Sequence, residues 1–282
     1  MLSTPTPARK DRLVDFATAR GLRVRYAIQG QGDGPPLLLI NGIGANLEVW
    51  QPLEERISNR QVISFDAPGA GRSQRALRPI RMRGLAEITL ELLDSLGYSD
   101  PVDVLGYSFG GAIAQELARR SPDRVRRLIL AATLPGIGGV PGNPLLIVRL
   151  LSPRRYYSRR ALEAIAHDAY GGRIASDPDA LRAHADTRFL AAPTALGYAT
   201  QVLSIWGWSS LRWLHTLHLP TPILAGDQDP LVPMINNHIF LKLIPNARLH
   251  VVAGGGHLFL LDQTEDAAGV LNAFLAERDP AS

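Results

Sequence analysis

The 282-residue sequence predicts an α/β protein: a mostly parallel central sheet flanked by helices, with a helical cap inserted in its second half. Three observations carry this. Short apolar runs closed by turn residues alternate with helical stripes. A serine flanked by glycines stands between one such run and a helix. The alternation breaks near residue 134 and resumes near 219.

Residues 37–40, 62–65, 102–105 and 128–131 read as strands buried on both faces, because each is short, apolar throughout and followed by turn chemistry. Between the second and third, Leu85, Ile88, Leu92, Leu93 and Leu96 share one helical stripe that stops at Gly97. Pro135, Gly136, Gly138, Gly139, Pro141, Gly142 and Pro144 then interrupt regular structure, and apolar, arginine-rich helical segments follow. Strand character returns at 222–225 and 249–252, around a helical segment at 234–243. A last amphipathic helix carries Val270, Leu271, Phe274 and Leu275. The expected division is therefore a core of residues 1–133 and 219–282 and a cap of residues 134–218, with no internal repeat.

Composition narrows the function. With 46% hydrophobic and 20% charged residues the chain has apolar area for a core, and no run approaches the roughly 18 apolar residues of a membrane span. Arg9, Lys10, Asp11 and Arg12 stand where a secretory apolar region would be, so a cytoplasmic protein is expected. The absence of cysteine excludes a disulfide scaffold, a thiolate metal site and a cysteine nucleophile. The net charge of +4 comes from arginines spread along the chain, with clusters at 119–127 and 149–160 that read first as solvated faces. No zinc-finger or recognition-helix pattern supports a nucleic-acid partner. His215 and His218 lack a third ligand at recognisable spacing, so no metal is expected.

The chemistry centres on Gly106-Tyr107-Ser108-Phe109-Gly110-Gly111, where the glycines let strand and helix pack around a turn that lifts the Ser108 hydroxyl out of the sheet. A serine nucleophile needs a base oriented by a third group, and the order serine, acid, histidine is available. Asp229 and Asp227 both lie just past a strand, and either carboxylate is placed to hold an imidazole. His257 follows Gly254-Gly255-Gly256 after the last strand, whereas His250 and His238 sit inside strand and helix patterns. The loop Asn41-Gly42-Ile43-Gly44 follows the first central strand, so the Ile43 N–H pairs with the Phe109 N–H as an oxyanion hole. The cap supplies Leu145, Leu146, Ile147, Val148, Leu150, Leu151, Trp206, Trp208 and Trp213, which either face a hydrophobic substrate or form the cap's own core.

On these residues the sequence resembles the α/β-hydrolases, and within them the intracellular depolymerases of medium-chain-length polyhydroxyalkanoates. The stretch Asn41-Gly42-Ile43-Gly44-Ala45-Asn46 is similar to that family's, where most α/β-hydrolases begin the loop with His-Gly. Ser152-Pro153-Arg154-Arg155-Tyr156, Tyr170-Gly171-Gly172, Gly207-Trp208-Ser209-Ser210 and Gly256-His257-Leu258-Phe259-Leu260 are similar as well. One departure is Phe109, where the family often carries Trp. The resemblance implies a triad of Ser108, Asp229 and His257, Asp229 being preferred because it matches the family's G-x-x-D-P acid loop. It further implies hydrolysis of 3-hydroxyacyl esters without a cofactor, a polyester or oligomer as substrate, and a storage-granule surface as partner. Asn41, Trp206, Trp208 and Leu146 are the candidate substrate contacts. The same triad would serve a small-ester carboxylesterase, a lipase-like enzyme or a carbon–carbon bond hydrolase. A non-catalytic binding protein on this fold is the reading from another class.

Overall fold

The computed structural model describes residues 12–278; residues 1–11, with Arg9, Lys10 and Asp11, and residues 279–282 lie outside the described residues. Eight strands form one sheet: β1 (Arg12–Ala19), β2 (Leu22–Gln29), β3 (Gly34–Ile40), β4 (Arg60–Phe65), β5 (Val102–Tyr107), β6 (Val125–Ala131), β7 (Thr221–Gly226) and β8 (Ala247–Val252). Their order is β1-β2-β4-β3-β5-β6-β7-β8. The first two pairings are antiparallel and the rest parallel.

The central strands are apolar on both faces because both are covered. Leu38, Ile40, Ile63, Phe65, Val104, Leu128 and Leu130 face one side, packing against α2 (Met82–Ser95) and α3 (Phe109–Arg120). Leu37, Leu39, Val62, Leu105, Ile129 and Ala131 face the other, in one cluster with Leu53 of α1 (Gln51–Glu54). Period-two alternation thus distributes residues between two cores rather than between core and water. The hairpin of β1 and β2, absent from the expected strands, turns at Arg20 and Gly21, both with positive φ (48° and 72°). A two-residue turn of this hand matches the strand twist. Polar residues interleaved along the two strands, Arg12, Asp15, Thr18, Arg23, Arg25 and Gln29, break the apolar run that marks the other strands.

Between β6 and β7 the chain builds α4 (Pro144–Leu151), α5 (Arg159–Tyr170), α6 (Gly172–Ser176), α7 (Pro178–Phe189) and α8 (Ala195–Ile205). Asn143, Ser158, Asp177 and Thr194 cap the N-termini of α4, α5, α7 and α8 with side-chain oxygens. After β7 come α9 (Met234–Leu243), α10 (Phe259–Asp262) and α11 (Thr264–Leu275). Among the described residues no helix is long and apolar enough to cross a membrane. In the 119–127 cluster, Arg120 pairs with Glu116, Arg124 with Asp94 and Arg126 with Asp103.

Candidate active site

Ser108 occupies the single step between β5 and α3 at φ 53°, ψ −118°, a left-handed backbone that costs a non-glycine residue energy and is held by its surroundings. A Cβ on Gly106 would come 2.6 Å from the Ala114 Cβ, and one on Gly110 would come 2.1 Å from the Ile40 carbonyl oxygen. The two glycines therefore permit the close approach that pushes the serine out of the sheet. The Ser108 N–H donates to the Ala131 carbonyl, and the Thr133 hydroxyl donates to the Ser108 carbonyl at 2.7 Å.

His257 Nε2 lies 3.1 Å from Ser108 Oγ, and its Nδ1 lies 2.8 Å from Asp229 Oδ2. Asp229 Oδ1 accepts the N–H groups of Leu231 and Val232, which fixes the carboxylate with only Oδ2 aimed at the ring. Both side chains are almost fully buried. Asp227 is exposed and makes no bond to the imidazole. The His257 N–H donates to the Tyr170 carbonyl, and the Tyr107 hydroxyl donates to the His257 carbonyl at 2.8 Å. Burial first, and Asp229 second, push the Tyr107 hydroxyl well above its ordinary pKa, so it stays a donor.

The loop after β3 leaves the Ile43 main-chain donor open. The Gly42 N–H is taken by Asn41 Oδ1, that of Gly44 by Gln201 Oε1 and that of Ala45 by the Gly42 carbonyl. Among the described residues the Ile43 N–H has no acceptor, and the Phe109 N–H opens α3, where no intrahelical acceptor exists. Asn41 Nδ2 donates to the Asn46 carbonyl, and Asn46 Nδ2 donates to the carbonyls of Thr187, Arg188 and Ala191. The two asparagines thus tie the loop to itself and to the C-terminus of α7.

Asp66 anchors the far end of this loop by accepting the N–H groups of Leu47 and Arg72. Burial raises its pKa to about 6, against the lowering effect of those donors and of Arg25. A raised carboxyl binds more protons folded than unfolded, so its contribution to stability falls as pH climbs from about 3.8 to about 6 and is flat above. A carbon-13 NMR titration of the Asp66 carboxyl is expected to give a midpoint near 6, and a midpoint near 4 would contradict this environment.

Ser108 and His257 open into a cavity of about 300 Å³ walled by cap residues that include Ile147, Leu150, Leu151, Val202 and Ile205. Asn41 lines it as well. Three expected substrate contacts do not. Trp206 is 73% exposed at the end of α8. Trp208 donates its indole N–H to Glu116 and packs on Trp213, away from the nucleophile. Leu146 is buried in the hydrophobic cluster that cap residues share with one face of the sheet. On α4, Ile147, Leu150 and Leu151 line the cavity, whereas Leu146, one turn before Leu150, packs beneath it without reaching the lining.

A sequence model of the family described as alpha/beta hydrolase fold matches residues 35–264. The chain belongs to the α/β-hydrolase family. This α/β-hydrolase is 41% identical over 256 residues to a poly(3-hydroxyalkanoate) depolymerase of Ectopseudomonas oleovorans, covering 90% of this chain and 89% of that one. It is 30% identical to a 2-hydroxymuconate semialdehyde hydrolase of Pseudomonas sp. strain CF600, covering 92% and 93%. The crystal structure of an enol-lactonase from Burkholderia xenovorans LB400 superposes with a TM-score of 0.80 at 22% identity, over 93% and 100% of the chains, a likeness of fold. The chain is an enzyme of the ester-hydrolase class.

The α/β-hydrolase also uses residues whose roles sequence reasoning did not assign. Gly172 meets Gly256 so closely that a Cβ would lie 2.3 Å from the Gly256 nitrogen, and a Cβ on Gly171 would lie 2.1 Å from the Gln228 carbonyl oxygen. The Tyr170-Gly171-Gly172 segment is where the cap presses on the acid and histidine loops. Arg155, Arg188 and the tyrosines around them form the cavity roof. Arg155, Tyr156 and Tyr170 stand within segments similar to the depolymerases, whereas Arg188 and Tyr198 carry no signal in the sequence.

Proposed function

We propose that the enzyme hydrolyses 3-hydroxyacyl ester bonds of medium-chain-length polyhydroxyalkanoate or its oligomers through an acyl-enzyme on Ser108. The observation that carries this is the Ser108, His257 and Asp229 chain of contacts opening into a largely apolar cavity, in a protein 41% identical to a poly(3-hydroxyalkanoate) depolymerase. His257 Nε2 takes the Ser108 proton as Oγ attacks the ester carbonyl, and Asp229 stabilises the imidazolium. The N–H groups of Ile43 and Phe109 hold the oxyanion. His257 then protonates the leaving alcohol, and water repeats the sequence to release the acid. These steps call on no metal or cofactor. The cap of residues 134–218, set over a core of residues 1–133 and 219–282, supplies the wall for the alkyl side chains. The reading puts the enzyme in the cytoplasm at a storage-granule surface; Leu145 and Val148, 74% and 64% exposed on α4, support such a contact.

Acid quenching of the enzyme with a 3-hydroxyoctanoyl ester, followed by peptide mass spectrometry, is expected to find the acyl group on the peptide holding Ser108. A turnover-competent enzyme with no acyl adduct there would overturn the mechanism.

A further inference from the structure

Two guanidiniums buried in the roof of the cavity have no anion. Arg155 and Arg188 are 4% and 7% exposed, and both line the cavity that holds Ser108. Arg155 donates to the carbonyls of Leu150 and Ser152 and to the Tyr198 hydroxyl. Arg188 donates to the Tyr170 hydroxyl at 2.9 Å and to His184 Nε2 at 3.0 Å. Every one of these partners is neutral, and the Nε of each arginine is buried with no acceptor. Among the described residues neither makes an ion pair with an aspartate or glutamate.

Elsewhere this chain neutralises buried arginines. Arg25 meets Glu48 at 2.6 Å and Arg60 meets Asp103 at 2.9 Å. A charge buried without a counter-ion is costly, so two such arginines in a cavity wall mark a place for an anion. Aromatic faces partly compensate: the Arg188 guanidinium lies 4.0 Å from the Tyr156 ring centroid, and that of Arg155 lies 5.0 Å from the same ring. Tyr156 in turn donates its hydroxyl to the Ile43 carbonyl, so the arginines are built onto the oxyanion loop. His184 is pushed down to about 3, by burial first and then by Arg188, and adds no charge of its own.

The remaining walls are mostly apolar, with Ile147, Leu150, Leu151, Val202 and Ile205 among them, so the fitting ligand is an amphiphile with an alkyl chain and one anionic group. We infer that Arg188, with Arg155 adding to the field, forms a subsite for the free carboxylate at the end of a 3-hydroxyacyl chain. The inference rests on the 3-hydroxyacyl ester reading and narrows it to short chains entered from their acid end. The carboxylate then belongs to the leaving alcohol. Ser108 Oγ bonds to the ester carbonyl carbon, the carbon–oxygen bond to the terminal unit breaks, and His257 delivers the serine's proton to the departing oxygen. The 3-hydroxy acid leaves, and water hydrolyses the acyl-enzyme.

The test compares kcat/KM for the 3-hydroxyoctanoyl dimer with a free acid end and for its methyl ester. Wild type is expected to prefer the acid by about 10- to 100-fold. The preference is expected to fall to about threefold or less in Arg188→Met and to be partly kept in Arg188→Lys. Each ratio is internal to one protein, so a general loss of active enzyme cancels, and the wild-type comparison stands even where Arg188→Met fails to fold. Equal use of both dimers by wild type, or an undiminished preference in folded Arg188→Met, would overturn the subsite and leave the 3-hydroxyacyl reading intact. Cleavage of neither dimer by an enzyme that hydrolyses p-nitrophenyl octanoate would sink that reading and the subsite with it.

Discussion

Ser108→Ala is expected to lower kcat for p-nitrophenyl octanoate by about a millionfold, with KM changed no more than a few-fold. The substitution removes the one atom within hydrogen-bond distance of His257 Nε2 that is able to form a bond to the substrate carbon. It leaves the cavity, the two open N–H groups and the backbone turn in place, because alanine meets the same φ of 53° that serine does. Stability is therefore expected to be unchanged within about 0.5 kcal/mol, as for substitutions that create no buried void and orphan no partner. Steady-state kinetics beside a thermal unfolding curve checks both statements. A variant that keeps more than about a hundredth of wild-type kcat would show that another group attacks the ester.

Asp229→Asn is expected to cost about ten-thousandfold in kcat. The size follows from the bonding around the carboxylate. Oδ1 accepts the N–H groups of Leu231 and Val232, so an asparagine must keep its oxygen there and turn its amide NH₂ toward His257 Nδ1. That NH₂ forces the imidazole to carry its proton on Nε2, the nitrogen that has to receive the serine proton. Asp227→Asn serves as the control and is expected to change kcat by less than about twofold, since Asp227 is exposed and makes no bond to the ring. Kinetics with p-nitrophenyl octanoate separates the two acids; a large loss in Asp227→Asn with little in Asp229→Asn would reverse the assignment.

How much of this was legible in the sequence depended on whether a role is local. Strand, turn and helix around Ser108 are contiguous, and the glycines that permit the turn are written beside it, so the nucleophile position followed from pattern alone. The acid did not. Asp227 and Asp229 are separated by one residue on the same loop, and spacing left both open until the resemblance favoured one. The geometry distinguishes them through the two N–H groups that lock Asp229. The β1–β2 hairpin escapes the pattern because strands half exposed to water lose the unbroken apolar run. Within the cap the sequence told apolar from polar but not inward from sideways. Bulk and hydrophobicity point to Trp206, Trp208 and Leu146, whereas the wall of the cavity is set by how α4 and α8 rotate against the core. Arg155 and Arg188 were hidden for a related reason. An arginine in an arginine-rich chain reads as surface until burial shows otherwise.

The most direct measurement of the central claim is release of soluble 3-hydroxy acids from amorphous medium-chain-length polyhydroxyalkanoate, run beside p-nitrophenyl octanoate, for wild type and Ser108→Ala. The account predicts that wild type degrades the polymer and cleaves the small ester and that the variant does neither. Hydrolysis of the small ester by a wild-type enzyme that leaves the polymer untouched would contradict the depolymerase reading, leaving an esterase whose acyl substrate is of another class.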